Sequence, residues 1–136
     1  MIVVDTNTLV YLWVPSPRQT IIESLLRIDS NWIAPTLWKS EFRNTLATYM
    51  RAGFHTLDQT LIVMAKAEEF MANHEKPVNS STVLRLSNQS KCTTYDCEFV
   101  ALAIEQEVPL ITHDKKMLSQ FSSICMTADQ FLALKS

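Results

Sequence analysis

The first ten residues place a short buried strand directly before a helix. Ile2 to Val4 are β-branched residues with no polar interruption, a pattern typical of a strand that is covered on both faces. Asp5 ends this run, and a helical pattern follows it. Strands buried on both faces belong to parallel sheets, and ligands and catalytic groups gather at the carboxyl ends of such strands. The opening therefore predicts a parallel sheet with Asp5 at its functional edge.

The rest of the chain alternates short apolar runs with helical patterns. Helices are predicted at residues 8–13, 19–28, 36–52, 57–73, 81–89, 94–106 and 129–134. Strands are predicted at residues 2–4, 32–34, 77–78, 110–112 and 123–126, with 77–78 the weakest. This alternation predicts a parallel sheet with helices on both faces, and 136 residues are most simply one domain, 1–136.

Neither export nor membrane insertion is expected. The longest apolar runs are far too short to cross a bilayer, and the N-terminus lacks the basic-then-apolar layout of a signal peptide. The cysteines, Cys92, Cys97 and Cys125, form an odd set without a Cys-x-x-Cys pair. Reduced thiols in a cytoplasmic protein explain this set better than a disulfide framework does.

Glycine content and charge exclude several classes of binding site. The single glycine, Gly53, cannot supply a phosphate-binding loop or a dinucleotide fingerprint, since both need two or more glycines at fixed spacing. The formal charge of −2 gives no general attraction to nucleic acid. Committing four acids to a metal would leave the remainder with a charge of +2, because the total is −2. A negative metal site in an otherwise mildly basic protein suits a metal-dependent enzyme that acts on phosphates at least as well as a non-specific nucleic-acid binder.

Three acidic residues stand at the boundaries of predicted elements. Asp5 and Asp114 each follow an apolar strand and begin a helical pattern, so each can serve simply as a helix N-cap. Asp96 is the acid of a capping box that begins at Thr93. Capping alone explains each of the three, but a capping acid can also face the functional edge of the sheet.

Glu41 interrupts an apolar stripe. One face of the predicted helix 36–52 carries Trp38, Glu41, Phe42, Thr45, Leu46 and Tyr49. An acid on such a face is costly to bury unless it is paired or bound to a metal, and no basic residue stands three or four places away. The alternative places Glu41 at the edge of the stripe, in water and hydrogen-bonded to Asn44. The sequence leaves both interpretations open.

Taken together, the four acids indicate a site for a divalent cation. Crowded carboxylates repel by about 4 kcal/mol per pair at a separation of about 4 Å and an effective dielectric constant of about 20. A hard cation, Mg²⁺ or Mn²⁺, removes that cost, and it prefers oxygen ligands while keeping several waters. The histidines, His55, His74 and His113, are too dispersed to suggest zinc.

Four stretches carry these acids, and their order resembles a known family. They are Val3-Val4-Asp5-Thr6-Asn7, Ser40-Glu41-Phe42, the run TYDCEFVALA at 94–103, and Leu110-Ile111-Thr112-His113-Asp114. In order, spacing and flanking apolar residues they resemble the PIN-domain ribonucleases, and in particular the VapC-type toxins of bacterial and archaeal toxin–antitoxin modules. Each motif alone is weak, but the four in order are specific, and the resemblance covers the whole chain.

The resemblance implies a fold, a site and partners. The fold is a three-layer α/β/α sandwich around a central parallel sheet of four or five strands. Asp5, Glu41, Asp96 and Asp114 would be the acidic quartet that binds Mg²⁺ or Mn²⁺, with Thr112 and Asn7 as its polar neighbours. Relatives often form homodimers and are neutralised by an antitoxin. Many also carry a further acid and an aromatic where this chain has residues 115–118, KKML. The resemblance therefore does not extend to a fifth carboxylate.

The mechanism that follows is metal-assisted hydrolysis of RNA phosphodiesters. Asp5, Asp96 and Asp114 would be ligands, directly or through water, while Glu41 would complete the shell or orient the attacking water. Basic residues that flank the motifs are candidates for steering the RNA backbone, although each also suits a solvated surface: Lys39, Arg43, Lys91 and Lys115.

Two other classes of function use acids at a sheet edge. A non-catalytic PIN-like module would use the acidic pocket to hold a basic residue of a protein partner. A receiver-like phosphoacceptor domain normally needs paired acids after its first strand, whereas Asp5 is followed by Thr6 and Asn7. Both are weaker hypotheses than the ribonuclease.

Overall fold

The structure, a computed structural model, describes all residues from 1 to 136 and contains four strands and eight helices. The strands are β1 (Ile2–Val4), β2 (Trp32–Ile33), β3 (Leu110–Ile111) and β4 (Cys125–Met126). The helices are α1 (Thr6–Trp13), α2 (Gln19–Ile28), α3 (Leu37–Arg51), α4 (Leu57–Met71), α5 (Ser80–Asn88), α6 (Thr94–Gln106), α7 (Lys115–Gln120) and α8 (Ala128–Lys135). None of the helices combines the length and apolar character that a membrane span requires.

The four strands form one parallel sheet in the order β2-β1-β3-β4. Val3 aligns with Ile33 on one side and with Leu110 on the other, so β1 lies in the interior of the sheet. Helices flank the sheet, and α6 packs against both β1 and β3. The predicted parallel sheet and α/β sandwich are confirmed.

The predicted strand at 77–78 is wrong. Residues 77–78 pair with no strand, and the nearest pairing to the sheet is an isolated parallel bridge between Ala34 and Glu75. Pro77 has no backbone N–H group to donate to a ladder, which disfavours continued pairing beyond that bridge. The sheet therefore has four strands, within the predicted range of four or five.

Most helix boundaries fall within two residues of those predicted. Helices α2 and α6 have the predicted bounds. Helix α1 begins at Thr6, two residues earlier than expected, because the side chain of Asp5 caps it by accepting from the N–H of Thr8. Helix α4 ends at Met71, and Asn73 adopts a left-handed backbone conformation with φ of 66°.

The buried polar residues are concentrated at one edge of the sheet. The core contains 32 buried apolar residues, including every residue of β1, β2 and β3. The buried polar or charged residues are Asp5, Thr6, Thr8 and Thr112. Asp5 and Thr112 follow directly after β1 and β3, and Thr6 and Thr8 lie in the first turn of α1, so these buried polar residues gather at the carboxyl edge of the two neighbouring strands.

Candidate active site

Asp5 and Thr112 leave the sheet side by side. Val4 aligns with Ile111 in the parallel register of β1 and β3, and the N–H of Asp5 donates to the carbonyl of Ile111 over 3.3 Å. Because the two strands run parallel, the residues that follow them emerge at the same edge. Asp5 and Thr112 are therefore in contact, although 107 residues separate them in sequence.

Both carboxylate oxygens of Asp5 accept hydrogen bonds from threonines. Its Oδ1 accepts from the N–H of Thr8 over 2.9 Å and from Thr8 Oγ1 over 2.7 Å. Its Oδ2 accepts from the hydroxyl of Thr112. The side chain is only 7% exposed, so these bonds fix its orientation inside the protein. Asp5 therefore both caps helix α1 and belongs to the acidic site.

Thr112 connects Asp5 to Asp114. Its hydroxyl donates to Asp5, and the same oxygen accepts from the N–H of Asp114 over 3.0 Å. Asp114 in turn caps α7, since its Oδ1 accepts from the N–H of Met117 over 2.9 Å. One buried hydroxyl thus sets the relative positions of two of the four acids.

Glu41 lies on α3 and turns toward the same region. Its Oε1 accepts a hydrogen bond of 2.7 Å from the hydroxyl of Thr6 on α1. No hydrogen bond joins its side chain to Asn44, the partner expected for a surface position. Of the two interpretations that the sequence left open, the structure favours the inward one.

Asp96 occupies the first turn of α6. Its N–H donates to the side chain of Thr93 over 3.1 Å, the half of the predicted capping box that meets hydrogen-bond geometry. Complete boxes form at α4 and α8, where the third helical residue is Gln59 or Gln130 rather than an acid. The half-buried carboxylate of Asp96 faces the cavity shared with the other acids.

The four acids line one cavity of about 520 Å³. They share it with Asn7, which the sequence also predicted to belong to the site, while Thr112 is fully buried beneath Asp5. The cavity is lined by 13 residues, and none of them is lysine, arginine or histidine. None of the three histidines therefore takes part in this site.

The pKa values of Asp5, Glu41 and Asp96 are raised, chiefly by burial. Burial raises the pKa of Asp5, although the hydrogen bonds from Thr112 and Thr8 oppose the shift. Burial also raises the pKa of Glu41, and the negative charges of Asp96 and Asp5 raise it further. The pKa of Asp96 is raised by burial first and then by the charge of Asp114. Burial, which disfavours the charged form, is thus the main cause of all three shifts, and neighbouring negative charge adds to those of Glu41 and Asp96.

No basic side chain forms an ion pair with the acids of this cavity. One ion pair joins the N-terminus to Asp29, and two others join Lys39 to Glu68 and to Glu75. All of these acids lie outside the cavity. Lys39 therefore has acidic partners of its own, which disfavours the role in steering RNA that its position suggested.

The donor chemistry fits a hard divalent cation. The acids present carboxylate oxygens and no competing sulfur or imidazole, the ligand type that Mg²⁺ and Mn²⁺ prefer. No three of these side chains converge on one point closely enough to ligate an ion directly. Mg²⁺ is usually held by one or two carboxylates and retains several waters, so it does not need three such ligands.

A family model for the PIN domain matches residues 2–122, which is most of the chain. The chain belongs to the PIN-domain family. PIN domains are usually nucleases that use Mg²⁺ or Mn²⁺, so the acidic cavity lies in a family with the matching chemistry. No individual curated protein sequence matches this PIN domain significantly.

Two solved structures share the fold of this PIN domain. The crystal structure of PAE2754 from Pyrobaculum aerophilum has a TM-score of 0.73 and 18% identity, covering 98% of this chain and 94% of PAE2754. The crystal structure of FitAcB from Neisseria gonorrhoeae has a TM-score of 0.74 and 13% identity, covering 94% of this chain and 98% of that one. At such identities the likeness concerns the fold alone.

Thr6 and Thr8 are site residues that sequence reasoning missed. Thr8 is the third residue after the N-cap Asp5, a position whose N–H bonds the cap, so the capping rule was a usable signal. Thr6 bonds Glu41 across 35 residues of sequence. No local sequence pattern predicts that contact, because it depends on how α1 packs against α3.

Proposed function

We propose that this PIN domain is a Mg²⁺- or Mn²⁺-dependent endoribonuclease. The observation that carries the proposal is the cavity itself, where Asp5, Glu41, Asp96 and Asp114 meet with no basic partner. A protein gains no stability from such a cluster, because desolvation and repulsion both oppose it. Function is the better explanation of the cluster, and family membership supports a nuclease.

The residues have different parts in holding the cation. Asp5, Asp96 and Asp114 would hold it, at least one of them through a water, because no three of the acids converge closely enough for direct ligation. Glu41 would complete the shell or orient the attacking water, because Thr6 fixes one of its oxygens and leaves the other free. When bound, the cation supplies an activated water and neutralises charge on the phosphate. Thr8 and Thr112 keep Asp5 oriented toward the cavity.

The test is cleavage of RNA by purified Asp5→Asn protein in Mg²⁺. Asparagine keeps the shape of the side chain but removes the charge, so we expect cleavage to fall at least 100-fold. EDTA should abolish wild-type cleavage, and Mn²⁺ should restore it. Asp58→Asn is the matched control, since Asp58 is exposed on α4 and does not line the cavity. Wild-type rates from Asp5→Asn protein, or cleavage that persists in EDTA, would refute the proposal.

A second candidate function is a non-catalytic module that holds a basic residue of a protein partner. The failure of any three acids to converge on one point is the observation that favours it. A guanidinium group bonds carboxylates that stand further apart than the ligands of one small ion. Binding of an arginine-containing partner that is unaffected by EDTA, without RNA cleavage, would favour this candidate.

We further propose that the protein is the VapC-type toxin of a toxin–antitoxin pair and acts in the cytoplasm. The resemblance of the four acidic motifs supports the first part, and three buried free cysteines suit a reducing compartment. The test is co-expression with the product of the neighbouring upstream reading frame. We expect that product to bind this chain and block RNA cleavage. Cleavage that continues in the purified complex would argue against an antitoxin role.

A homodimer is also proposed, through the exposed face of α4. Leu57, Leu61 and Ile62 on this helix are each more than half exposed, and Phe54 just before it is 72% exposed. Neighbouring exposed apolar side chains of this size mark interaction surfaces more often than free surface. The mass in solution should be that of a dimer for the wild type and of a monomer for Leu61→Glu. A wild-type monomer at high concentration would rule this dimer out.

A further inference from the structure

Tyr95 is an exposed aromatic residue at the rim of the acidic cavity. It precedes Asp96 in the first turn of α6, lines the cavity, and is 59% exposed. The other aromatic residue of the cavity, Phe99, is buried one turn further along the same helix. The rim therefore presents a ring to solvent directly beside a carboxylate of the proposed metal site.

The ring of Tyr95 has no partner within the protein. Tyr11 contacts Arg18 and His113, and Tyr49 contacts Phe54 and His55. Tyr95, the third tyrosine, makes no aromatic or cation–π contact, and its hydroxyl makes no hydrogen bond. Packing therefore explains the other two tyrosines but does not explain Tyr95.

A different wall of the cavity offers free polar groups. Asn7 on α1 and Ser40 and Asn44 on α3 line it, and no side chain of the three forms a hydrogen bond within the protein. Amide and hydroxyl groups of this kind suit the sugar–phosphate backbone, whereas an aromatic face suits a base. The same cavity thus offers an aromatic ring on α6 and free polar groups on α1 and α3, which suit the two parts of a nucleotide.

We propose that Tyr95 stacks on an unpaired base of the RNA next to the phosphate at the acidic site. This inference rests on the proposed ribonuclease function and adds to it a residue that binds the substrate. In single strands, bases can splay out and stack on aromatic side chains, whereas bases in a duplex are covered on both faces by their neighbours. Stacking on Tyr95 therefore needs an unpaired base at this position of the strand. Tyr95 binds substrate and takes no part in the chemical step.

The kinetic test compares Tyr95→Ala and Tyr95→Phe on one single-stranded RNA. Loss of one stacked base weakens binding by about 5- to 150-fold, which corresponds to about 1 to 3 kcal/mol. We expect KM to rise about tenfold for Tyr95→Ala with kcat within twofold of wild type, and Tyr95→Phe to match the wild type. Leu134→Ala is the control for loss of an exposed apolar side chain, since Leu134 is 70% exposed on α8 and lies outside both the cavity and the proposed dimer surface.

The results separate this inference from the function on which it rests. Absence of wild-type cleavage in Mg²⁺ and Mn²⁺ would refute the ribonuclease itself. Wild-type cleavage with an unchanged KM in Tyr95→Ala, or equal rates on single-stranded and duplex RNA, would refute only the role of Tyr95. A fall in kcat without a rise in KM would also refute it.

A binding assay gives a second readout that needs no cleavage. RNA carrying 2-aminopurine is mixed with Asp5→Asn protein, and fluorescence is followed because stacking quenches this base. We expect quenching at one position along the strand, its loss in the double variant with Tyr95→Ala, and its recovery with Tyr95→Phe. Equal quenching by Asp5→Asn protein with and without Tyr95→Ala would overturn the inference.

Discussion

The hydroxyl of Thr112 bonds the carboxylate of Asp5, although 107 residues separate them in sequence. The same oxygen accepts from the N–H of Asp114, so this threonine couples the acid that follows β1 to the acid that follows β3. Thr112 has no exposed surface, and nothing else in the site joins these two acids. The geometry of half the acidic set therefore depends on a side chain that does not line the cavity.

Thr112→Val tests this coupling. Valine has nearly the same shape but leaves a buried oxygen of Asp5 without a donor and the N–H of Asp114 without an acceptor. An unsatisfied buried group costs about 1 to 3 kcal/mol, so we expect the free energy of unfolding to fall by about that amount. Urea unfolding measures the loss, and Thr112→Ser should retain most of the stability. Equal stability of the valine variant and the wild type would contradict the coupling.

Thr6→Val tests the positioning of Glu41. The hydroxyl of Thr6 is the only hydrogen-bond partner of that carboxylate in the structure. Removing the partner of a metal-site carboxylate typically lowers metal affinity or activity about 10- to 100-fold. We expect a loss in kcat of that size for Thr6→Val, a near-normal rate for Thr6→Ser, and unchanged helix content by circular dichroism. A normal kcat for the valine variant would show that Thr6 does not position Glu41.

Glu41→Gln should stabilise the metal-free protein at neutral pH. The pKa of Glu41 is raised by burial and by Asp96 and Asp5, so the folded state binds more protons than the unfolded chain between the two pKa values. The free energy of unfolding then falls as pH rises through that window, and the loss is complete above the folded pKa. In EDTA at pH 7 to 8 we expect glutamine to raise Tm by a few degrees.

The advantage of Glu41→Gln should vanish below pH 4.5, the ordinary pKa of this carboxyl, because the wild-type group is then protonated in both states. Glu69→Gln is the control, since Glu69 is exposed on α4 and outside the cavity. Differential scanning calorimetry across this pH range gives the comparison. A Tm for Glu41→Gln below that of the wild type throughout would contradict the raised pKa.

Mg²⁺ should stabilise the folded protein through the acidic cavity. A ligand that binds only the folded state at 100 times its Kd adds about 2.7 kcal/mol to the free energy of unfolding. Asp96→Asn should lose most of this gain, because it removes one negative charge beside Asp114. Thermal unfolding with and without Mg²⁺ measures the gain, with Asp58→Asn as control. An equal response from all three proteins would place the ion elsewhere.

Lys39 and Arg43 should differ in their effect on RNA binding. The Nζ of Lys39 lies 3.6 Å from Glu75 and 3.9 Å from Glu68, whereas Arg43 is exposed and forms no ion pair. Each lost phosphate contact lowers the dependence of log K on log salt concentration by about 0.7 for single strands. We expect that decrease for Arg43→Gln and no change for Lys39→Gln, measured by fluorescence anisotropy at several salt concentrations.

Local patterns in the sequence predicted much of the fold and singled out all four acids, Glu41 by its place in an apolar stripe. The β-branched run before Asp5 and the apolar run before Asp114 identified two strand ends, and the capping box at Thr93 identified the start of α6. These predictions succeeded because strand ends and helix caps depend on neighbouring residues. The strand predicted at 77–78 failed because pairing also requires a partner, and the sheet offers only the bridge at Ala34.

The sequence by itself determined a parallel α/β architecture and the acids that could occupy its carboxyl edge. Only the tertiary structure decided that Glu41 turns inward to the hydroxyl of Thr6, that Thr112 joins Asp5 to Asp114, and that no lysine, arginine or histidine lines their cavity. Spacing along the chain reports local hydrogen bonds and periodic burial. Contacts across 35 or 107 residues exist only once helices and strands have packed, so no local pattern specifies them.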